Sequence, residues 1–231
     1  MLSRFAEDIW IANGPVVAIA GFDYRTRMAV IRLASGELFV WSPIALTPEL
    51  MSQVNALGPV KCIVAPNRAH YLFAREWAEA YPQARRFGSP ALLAKRTELG
   101  WHGALGDEPE PGWAGEIDQV VVRGNIGELE TVFFHRASAT VIFTDLIQHF
   151  GPTWFHGWRS LIARLDLMAA PEPEVPRKFR LAFIGSATAR DAITRILQWP
   201  AQRVLFAHGE PITADGQAFL VNRFRWLKRR R

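Results

Sequence analysis

Three strand-like runs of the sequence each end in polar residues that could carry chemistry. The apolar run 204–207 leads directly into His208, TVIFTDL places Asp145 after a buried-looking stretch, and VKCIVAPNRAH ends at Asn67 and His70. Polar groups at the carboxyl ends of buried strands converge on a common crevice, and an aspartate is costly to bury unless it is paired or holds a cation. Imidazole and carboxylate are ligand types for zinc, iron and manganese. We therefore expect a His–Asp cluster that holds one metal ion or forms a hydrogen-bonded pair.

Other candidate residues follow from their position in the chain. His135 ends the run ETVFFH ten residues before Asp145 and is a fourth candidate metal ligand. Arg136 could meet an anionic ligand at the same mouth or point into water, and Asn67 is a second candidate for ligand contact. Ser138 and Thr140 either pair with His135 or cap a tight hairpin turn, and turn capping is the favoured interpretation.

Composition points to a protein with a large apolar core and no covalent staples. The chain has 231 residues, 49% of them hydrophobic, and one cysteine, Cys62, which excludes an intramolecular disulfide framework and a Cys-rich zinc motif. Four of the five net positive charges lie in the basic tail 228–231, so nucleic-acid binding is not expected.

The sequence predicts a cytoplasmic protein without a membrane partner. No uninterrupted apolar run reaches the roughly 18 residues that a membrane helix needs. The apolar N-terminal stretch is unlike a signal peptide, because Glu7 and Asp8 stand where basic residues are expected and the residues 13–15 (NGP) break the run. We predict a strand, a turn and a strand in this N-terminal stretch. For the whole chain, a small-molecule ligand or substrate is the expected partner, and the oligomeric state stays open.

The positions of strands and helices indicate a layered α/β fold. MAVIRL and ELFVWS flank the turn 34–36 and predict a hairpin. Thr47 is a predicted N-cap for a helix ending near Gly58, and a second helix is predicted over AHYLFAREWAEAY. Residues 101–118 and the stretch AAPEPEVPRKF are predicted loops. The pattern continues with three strand runs: QVVVRG, ETVFFH and TVIFTDL. It is completed by helices over FHGWRSLIARLDLM and SATARDAITRILQW, the strand VLFAH and a helix over 215–227.

This order of elements resembles the metallo-β-lactamase superfamily, and more narrowly an uncharacterised branch of it, a domain of unknown function. The resemblance rests on RMAVIRLASGELFVWSPI, IVAPNRAH, FFHRASATVIFTDLIQ and the AHGEP ending, and it covers nearly the whole chain. It implies one domain, 1–231, with an αββα sandwich: two mixed sheets with helices outside.

The resemblance also implies a degenerate metal site. Active members carry H-x-H-x-D-H where this chain has the residues 65–70 (APNRAH). In one register His70 takes the place of the last histidine and Asn67 that of the second; another register is open. Asp145 matches the bridging aspartate and His208 the final histidine. The G-H-T-x-G-S loop of the intermediate histidine is missing, and His135 is its nearest substitute.

Two functions remain open at this point. A dinuclear centre is not expected, because two metals need more ligands than the chain offers. The first function is a metal-free module that binds a small ligand and keeps Asp145 and His208 as a structural or acid–base pair. The alternative is a hydrolase of a small ester or lactone that holds one Zn, Mn or Fe ion with His70, Asp145 and His208. Dinucleotide, phosphate-loop and Gly-x-Ser-x-Gly motifs are lacking.

Overall fold

The structure is a computed structural model that describes residues 1–125 and 127–229. Of the expected basic tail, Arg230 and Arg231 lie outside the described residues. The strands are β1 Ser3–Ala6, β2 Ile9–Ile19, β3 Phe22–Arg32, β4 Leu38–Trp41, β5 Val60–Ala65, β6 Arg85–Gly88, β7 Gly103–Ala104, β8 Ile117–Gly124, β9 Gly127–His135, β10 Thr140–Ile142 and β11 Arg203–Leu205. The α-helices are α1 Pro48–Leu57, α2 Ala74–Ala80, α3 Pro90–Lys95, α4 Trp158–Leu165, α5 Arg177–Ala182, α6 Ala187–Ile196 and α7 Gly216–Arg223.

Two sheets face each other. The larger has seven strands in the order β1 to β7, antiparallel from β1 to β4 and parallel from β4 to β7. The smaller has the order β11-β10-β9-β8, with β10 and β11 parallel and the other pairs antiparallel. Residues that alternate along a strand point to opposite faces of its sheet, so each sheet can bury both faces.

Three apolar clusters fill the spaces between four layers. The cluster between the sheets takes one face of each, including Phe39, Val64, Phe133 and Ile142. The outer face of the larger sheet packs against α1 and α2 through Leu50, Val54 and Trp77, among others. The outer face of the smaller sheet packs against α6 and α7, with Ile193 and Leu220 among the buried residues. The expected αββα sandwich is confirmed.

Several local predictions hold and several need correction. Thr47 caps α1 by accepting from the amide of Leu50, and Ser186 caps α6 in the same way. The predicted helix over 69–81 begins only at Ala74, the predicted loop 101–118 contains β7, and the second predicted loop gives way to α5. The final helix ends at Arg223 and continues as a 3₁₀ turn over 225–229.

The predicted strand–turn–strand at the N-terminus is wrong. β2 runs through the NGP triplet with a bulge between Asn13 and Val16, because its pairing with β3 continues on both sides. The Thr26 hydroxyl donates to the Pro15 carbonyl at 2.7 Å. A Cβ atom at Gly14 would lie 2.5 Å from the Thr26 hydroxyl oxygen, so glycine is required there.

We predict that Phe133→Ala lowers the free energy of unfolding by about 3–5 kcal/mol, because it removes a fully buried ring from between the sheets. Urea denaturation of the wild type and the variant measures this loss. Phe133→Leu keeps most of the volume and should lose clearly less. A loss under about 1 kcal/mol for the alanine variant would contradict the assignment of this ring to the core.

Candidate metal centre

Adjacent strand ends bring the candidate residues together. β10 and β11 are parallel, with Ile142 paired to Leu205, so Asp145 and His208 each follow three residues beyond that pair. The turn after β5, in the other sheet, supplies Asn67 and His70. The site therefore lies at one end of the cleft between the sheets and depends on both of them.

The Asp145 carboxylate contacts both imidazoles. Its Oδ1 lies 3.0 Å from Nε2 of His208, and its Oδ2 lies 3.6 Å from Nε2 of His70. One donor atom from each of the three residues lies within 4.8 Å of the others, which is a spacing that one metal ion can bridge. All three side chains are largely buried, with 18% of the Asp145 side chain exposed and less of the two histidines.

Hydrogen bonds on the far side of each ring fix the orientation of both imidazoles. Nδ1 of His208 lies 2.6 Å from the carbonyl oxygen of Arg25, which can only accept, so Nδ1 must carry the proton. Nδ1 of His70 lies 2.8 Å from the Ser42 hydroxyl, whose one proton goes to the Arg27 carbonyl at 3.0 Å. This Nδ1 is therefore also a donor.

The consequence is that both Nε2 atoms turn toward the carboxylate. In a neutral imidazole with a protonated Nδ1, Nε2 carries a lone pair, and two such lone pairs would face the anionic oxygens of Asp145. A proton on Nε2, or a metal ion between the nitrogens and the carboxylate, would remove this repulsion. Histidines bound to metals are held in this way, through the second ring nitrogen. The donor set thus fits one divalent ion.

Charge near Asp145 also governs its protonation. Burial raises the pKa of this carboxyl, but the charge of His70 and the hydrogen bond from His208 outweigh burial and hold the pKa well below its usual range. Burial raises the pKa of Tyr24 to about 12, and Asp145 and Asp166 add to the effect. The Tyr24 ring packs against that of His208, with 5.2 Å between centroids. Because the pKa of Asp145 is low, its side chain is present as an anion, which is the form that binds a cation.

The Asn67 side chain holds the Asp145 carboxylate in position. Its Nδ2 donates to Oδ2 of Asp145 at 2.6 Å, and its Oδ1 accepts from the amides of Ala69 and His70 at 2.8 and 3.0 Å. In this structure the Asn67 side chain orients the Asp145 carboxylate, and the expected contact of Asn67 with a ligand stays a prediction. Gln148 donates to Oδ1 of Asp145 at 3.3 Å.

His135 and Arg136 lie elsewhere, and their assignment to the site is corrected. β9 and β10 are antiparallel, so His135 pairs with Thr140 at the start of β10, whereas Asp145 follows its end. The His135 ring is buried and pairs with the Ser138 hydroxyl at 2.8 Å, so the hydroxyl–imidazole pair forms, which was the less favoured of the two interpretations of this turn. Arg136 forms two hydrogen bonds with Asp118 at 2.6 and 2.8 Å.

Two buried ionisable residues, neither of them among the predicted site residues, hold the turns that carry the site. Glu130, fully buried on β9, accepts from the amides of Thr144, Asp145 and Leu146 at 2.6–2.8 Å. A signal was present, because strand alternation places Glu130 on the same face as the apolar side chains of residues 132 and 134.

Arg27 is the counterpart of Glu130 at the other turn. It donates to the carbonyls of Phe206, at 3.0 Å, and Gly209, on both sides of His208. It also donates to Oδ1 of Asn13 at 3.0 Å. A buried guanidinium thus fixes the backbone that presents His208, in the same way that a buried carboxylate fixes the backbone that presents Asp145.

The site opens into a mostly apolar crevice of about 150 Å³. Its polar lining includes Thr26, Ser42, Gln148 and Lys178 in addition to the cluster itself. Apolar side chains make up much of the rest: Val17, Ile19, Leu72, Phe73 and Phe179. A space of this volume is large enough for a group the size of benzene.

The family model for Domain of unknown function (DUF4336) matches residues 7–155, more than half of the chain. The chain belongs to this family. His70 and Asp145 lie within the matched part of this DUF4336 chain, and His208 lies beyond it. No curated protein matches the sequence.

Solved structures similar to this DUF4336 chain have the metallo-β-lactamase fold. The DIM-1 metallo-β-lactamase exposed to ceftazidime is 15% identical, with a TM-score of 0.64 over 98% of this chain and 97% of that one. A metallo-β-lactamase from Pontibacter korlensis is 13% identical, with a TM-score of 0.63 over 100% and 99%. FIM-1 from Pseudomonas aeruginosa, in its mono-zinc form, is 10% identical, with a TM-score of 0.62 over 100% and 96%. At these identities the likeness shows the fold alone.

We predict that Glu130→Gln costs about 1–3 kcal/mol of stability at pH 5, because the amide NH₂ cannot accept a hydrogen bond from a backbone N–H. Burial and, to a smaller extent, the charge of Asp145 raise the pKa of Glu130 to about 8. The hydrogen bonds from the three backbone amides lower the pKa but do not outweigh these two effects. Between its ordinary pKa and about 8 the folded protein therefore binds more protons than the unfolded chain. The contribution of the protonated Glu130 carboxyl to the free energy of unfolding is therefore present in acid and falls as pH rises through that window.

Urea denaturation between pH 5 and pH 8.5, with chelator present, measures both effects. The difference between the wild type and Glu130→Gln should shrink as pH rises, because only the wild type loses stability through this group. Glu116→Gln is the matched control: that exposed carboxylate accepts from the amide of Ala34 at the other end of the fold. A constant difference across the pH range would show that Glu130 does not titrate there.

Proposed function

We propose that this protein is a mononuclear metal-dependent hydrolase of a small ester or lactone-like substrate, with His70, Asp145 and His208 as metal ligands. The observation that carries the proposal is the orientation of the two imidazoles, whose Nδ1 protons are engaged so that both Nε2 atoms face one carboxylate. The ion would be zinc, manganese or iron, since two imidazoles and a carboxylate suit all three.

Each part of the site has a role in this proposal. A divalent ion bound there would supply Lewis-acid activation of a carbonyl group and of a water molecule. The chain's own part is to hold the ligands in position through Asn67, Ser42 and the backbone carbonyl of Arg25. The apolar crevice wall excludes bulk water and receives the apolar part of a substrate. Because the ligands come from both sheets, we propose that the chain, 1–231, acts as one domain.

A second function is favoured by the hydrogen bonds of Asp145. Its carboxylate accepts from Asn67, Gln148 and His208, so it is well satisfied when both rings carry protons. The same crevice would then bind a small ligand without any metal, and the cluster would be structural. Metal content decides between these two functions.

We predict about one metal ion per chain in untagged protein purified without chelator, and its loss in His208→Ala and Asp145→Asn. Elemental analysis, followed by titration of chelated protein with zinc, manganese and iron, makes the measurement. Added metal should raise the melting temperature of the wild type by mass action and leave both variants unchanged.

His156→Ala provides the control. It removes an exposed imidazole that is not part of the cluster, so this variant should keep its full metal content. Wild type that takes up no metal, or uptake that survives in Asp145→Asn, would leave the metal-free ligand-binding module as the better account.

We predict metal-dependent hydrolysis of p-nitrophenyl esters with short apolar acyl groups, and a loss of kcat/KM of at least about 100-fold in Asp145→Asn. Leu72→Arg, which places a cation on the apolar wall, should raise KM for these esters more than it lowers kcat, because it changes the crevice and leaves the ligands intact. Hydrolysis that is equal with metal and with chelator would contradict the metal-dependent mechanism.

A further inference from the structure

Helix α4 exposes an apolar stripe to solvent. Trp158, Leu161, Ile162 and Leu165 are 42–62% exposed and follow the spacing i, i+3, i+4 and i+7. Single exposed apolar side chains are ordinary, but four on one face of a short helix indicate a surface that binds something. Ala163, on the opposite face, is fully buried and packs with an aromatic cluster that includes Phe150.

Arginines flank the stripe on both sides. At about 100° per residue, Arg159 and Arg164 project on opposite sides of the apolar face. The segment 154–165 contains no aspartate or glutamate, and the Asp166 carboxylate that follows it is paired with Lys178 at 3.6 Å. The exposed Arg177 lies where α5 begins, with its amide bonded to the Asp166 carbonyl at 2.9 Å. An apolar stripe between cations is the pattern of a helix that lies in the surface of an anionic membrane.

A second copy of the chain fits this face less well. A helix of eight residues is about 12 Å long, which is short for an interface that needs about 800 Å² from each partner. A twofold contact would also bring the arginines of both copies close together. Anionic lipid offers complementary charge together with an apolar layer for the side chains.

The stripe adjoins the mouth of the crevice. The Trp158 ring meets the Phe22 ring edge-on at 5.7 Å, and Arg159 donates to the carbonyl of Gly21. Both partners belong to the hairpin of β2 and β3, whose Ile19 is 41% exposed and lines the crevice. Whatever covers α4 therefore lies beside the entrance to the site.

We propose that α4 docks this protein on the surface of an anionic membrane, with Trp158, Leu161, Ile162 and Leu165 inserted among the lipids and Arg159 and Arg164 at the headgroups. No helix among the described residues is long and apolar enough to cross a membrane. The lack of a long apolar run led us to expect no membrane partner, but a helix that lies in the membrane surface needs no spanning length. This proposal does not depend on the metal centre.

Co-sedimentation with vesicles tests the proposal. We expect the full chain to bind vesicles of phosphatidylcholine with about 30 mol % phosphatidylglycerol and to bind pure phosphatidylcholine much more weakly. The double variant Leu161→Ser/Leu165→Ser should bind the mixed vesicles at least about tenfold more weakly than the wild type does, since two inserted side chains are lost. Arg164→Gln should weaken binding to the mixed vesicles alone. Met51→Ser, on the exposed face of α1, is the matched control and should bind as the wild type does.

The basic tail 228–231 needs its own control, because its four cations could bind anionic lipid unaided. A variant with glutamine at these four positions should keep vesicle binding that depends on Leu161 and Leu165. The proposal is overturned if no vesicle binds, if the serine double variant binds as the wild type does, or if only the tail variant loses binding. A dimer in size-exclusion chromatography that the serine variant abolishes, without vesicle binding, would overturn it in favour of a second copy. Exposed substitutions of this kind leave the fold intact, and thermal unfolding verifies this.

Discussion

The structure depends on one electrostatic constraint: a largely buried carboxylate, Asp145, faces two imidazole Nε2 atoms whose rings cannot turn away. The carbonyl of Arg25 holds His208, and the Ser42 hydroxyl holds His70, so any change in the cluster must break a hydrogen bond on its far side. A buried charge is tolerated only when opposite charge or hydrogen bonds compensate it. The same geometry that makes the metal-free cluster depend on protons thus provides a place for a cation.

Hydrogen bonding to backbone groups explains why two ionisable side chains are buried behind the candidate ligands. Glu130 collects amide protons at the turn of Asp145, and Arg27 collects carbonyl oxygens at the turn of His208. Tight turns leave such backbone groups without partners in the ladder, and burying them unpaired would cost about 1–3 kcal/mol each. One carboxyl group and one guanidinium group satisfy both sets. The positions of the candidate ligands are therefore set by hydrogen bonds within the protein itself, which is the condition for a well-defined site.

The αββα layers were expected from the family resemblance. Local sequence patterns predicted most of the elements and the three clustered residues, because these depend on local rules: strand alternation, helix caps, and polar residues just past apolar runs. They failed where pairing over long distances decides. The NGP triplet is a turn signal, yet β2 continues through it because β3 pairs on both sides. His135 was placed near Asp145 by its separation of ten residues alone. The hairpin between them reverses the chain, so the turn at Ser138 already implied opposite ends of the sheet.

The short ligand set is compatible with a working site because Asn67 replaces part of what is missing. By the resemblance, Asp145 stands where a carboxylate would bridge two metals, with ligands of one of them lost at positions 65–70. In this chain the Asn67 amide donates to Oδ2 of Asp145 at 2.6 Å. The carboxylate therefore receives a neutral hydrogen bond on one side and, in the proposed centre, an ion on the other. In the proposed centre Asp145 would be a terminal ligand of one ion, and catalytic zinc sites likewise use three protein ligands and leave one position open.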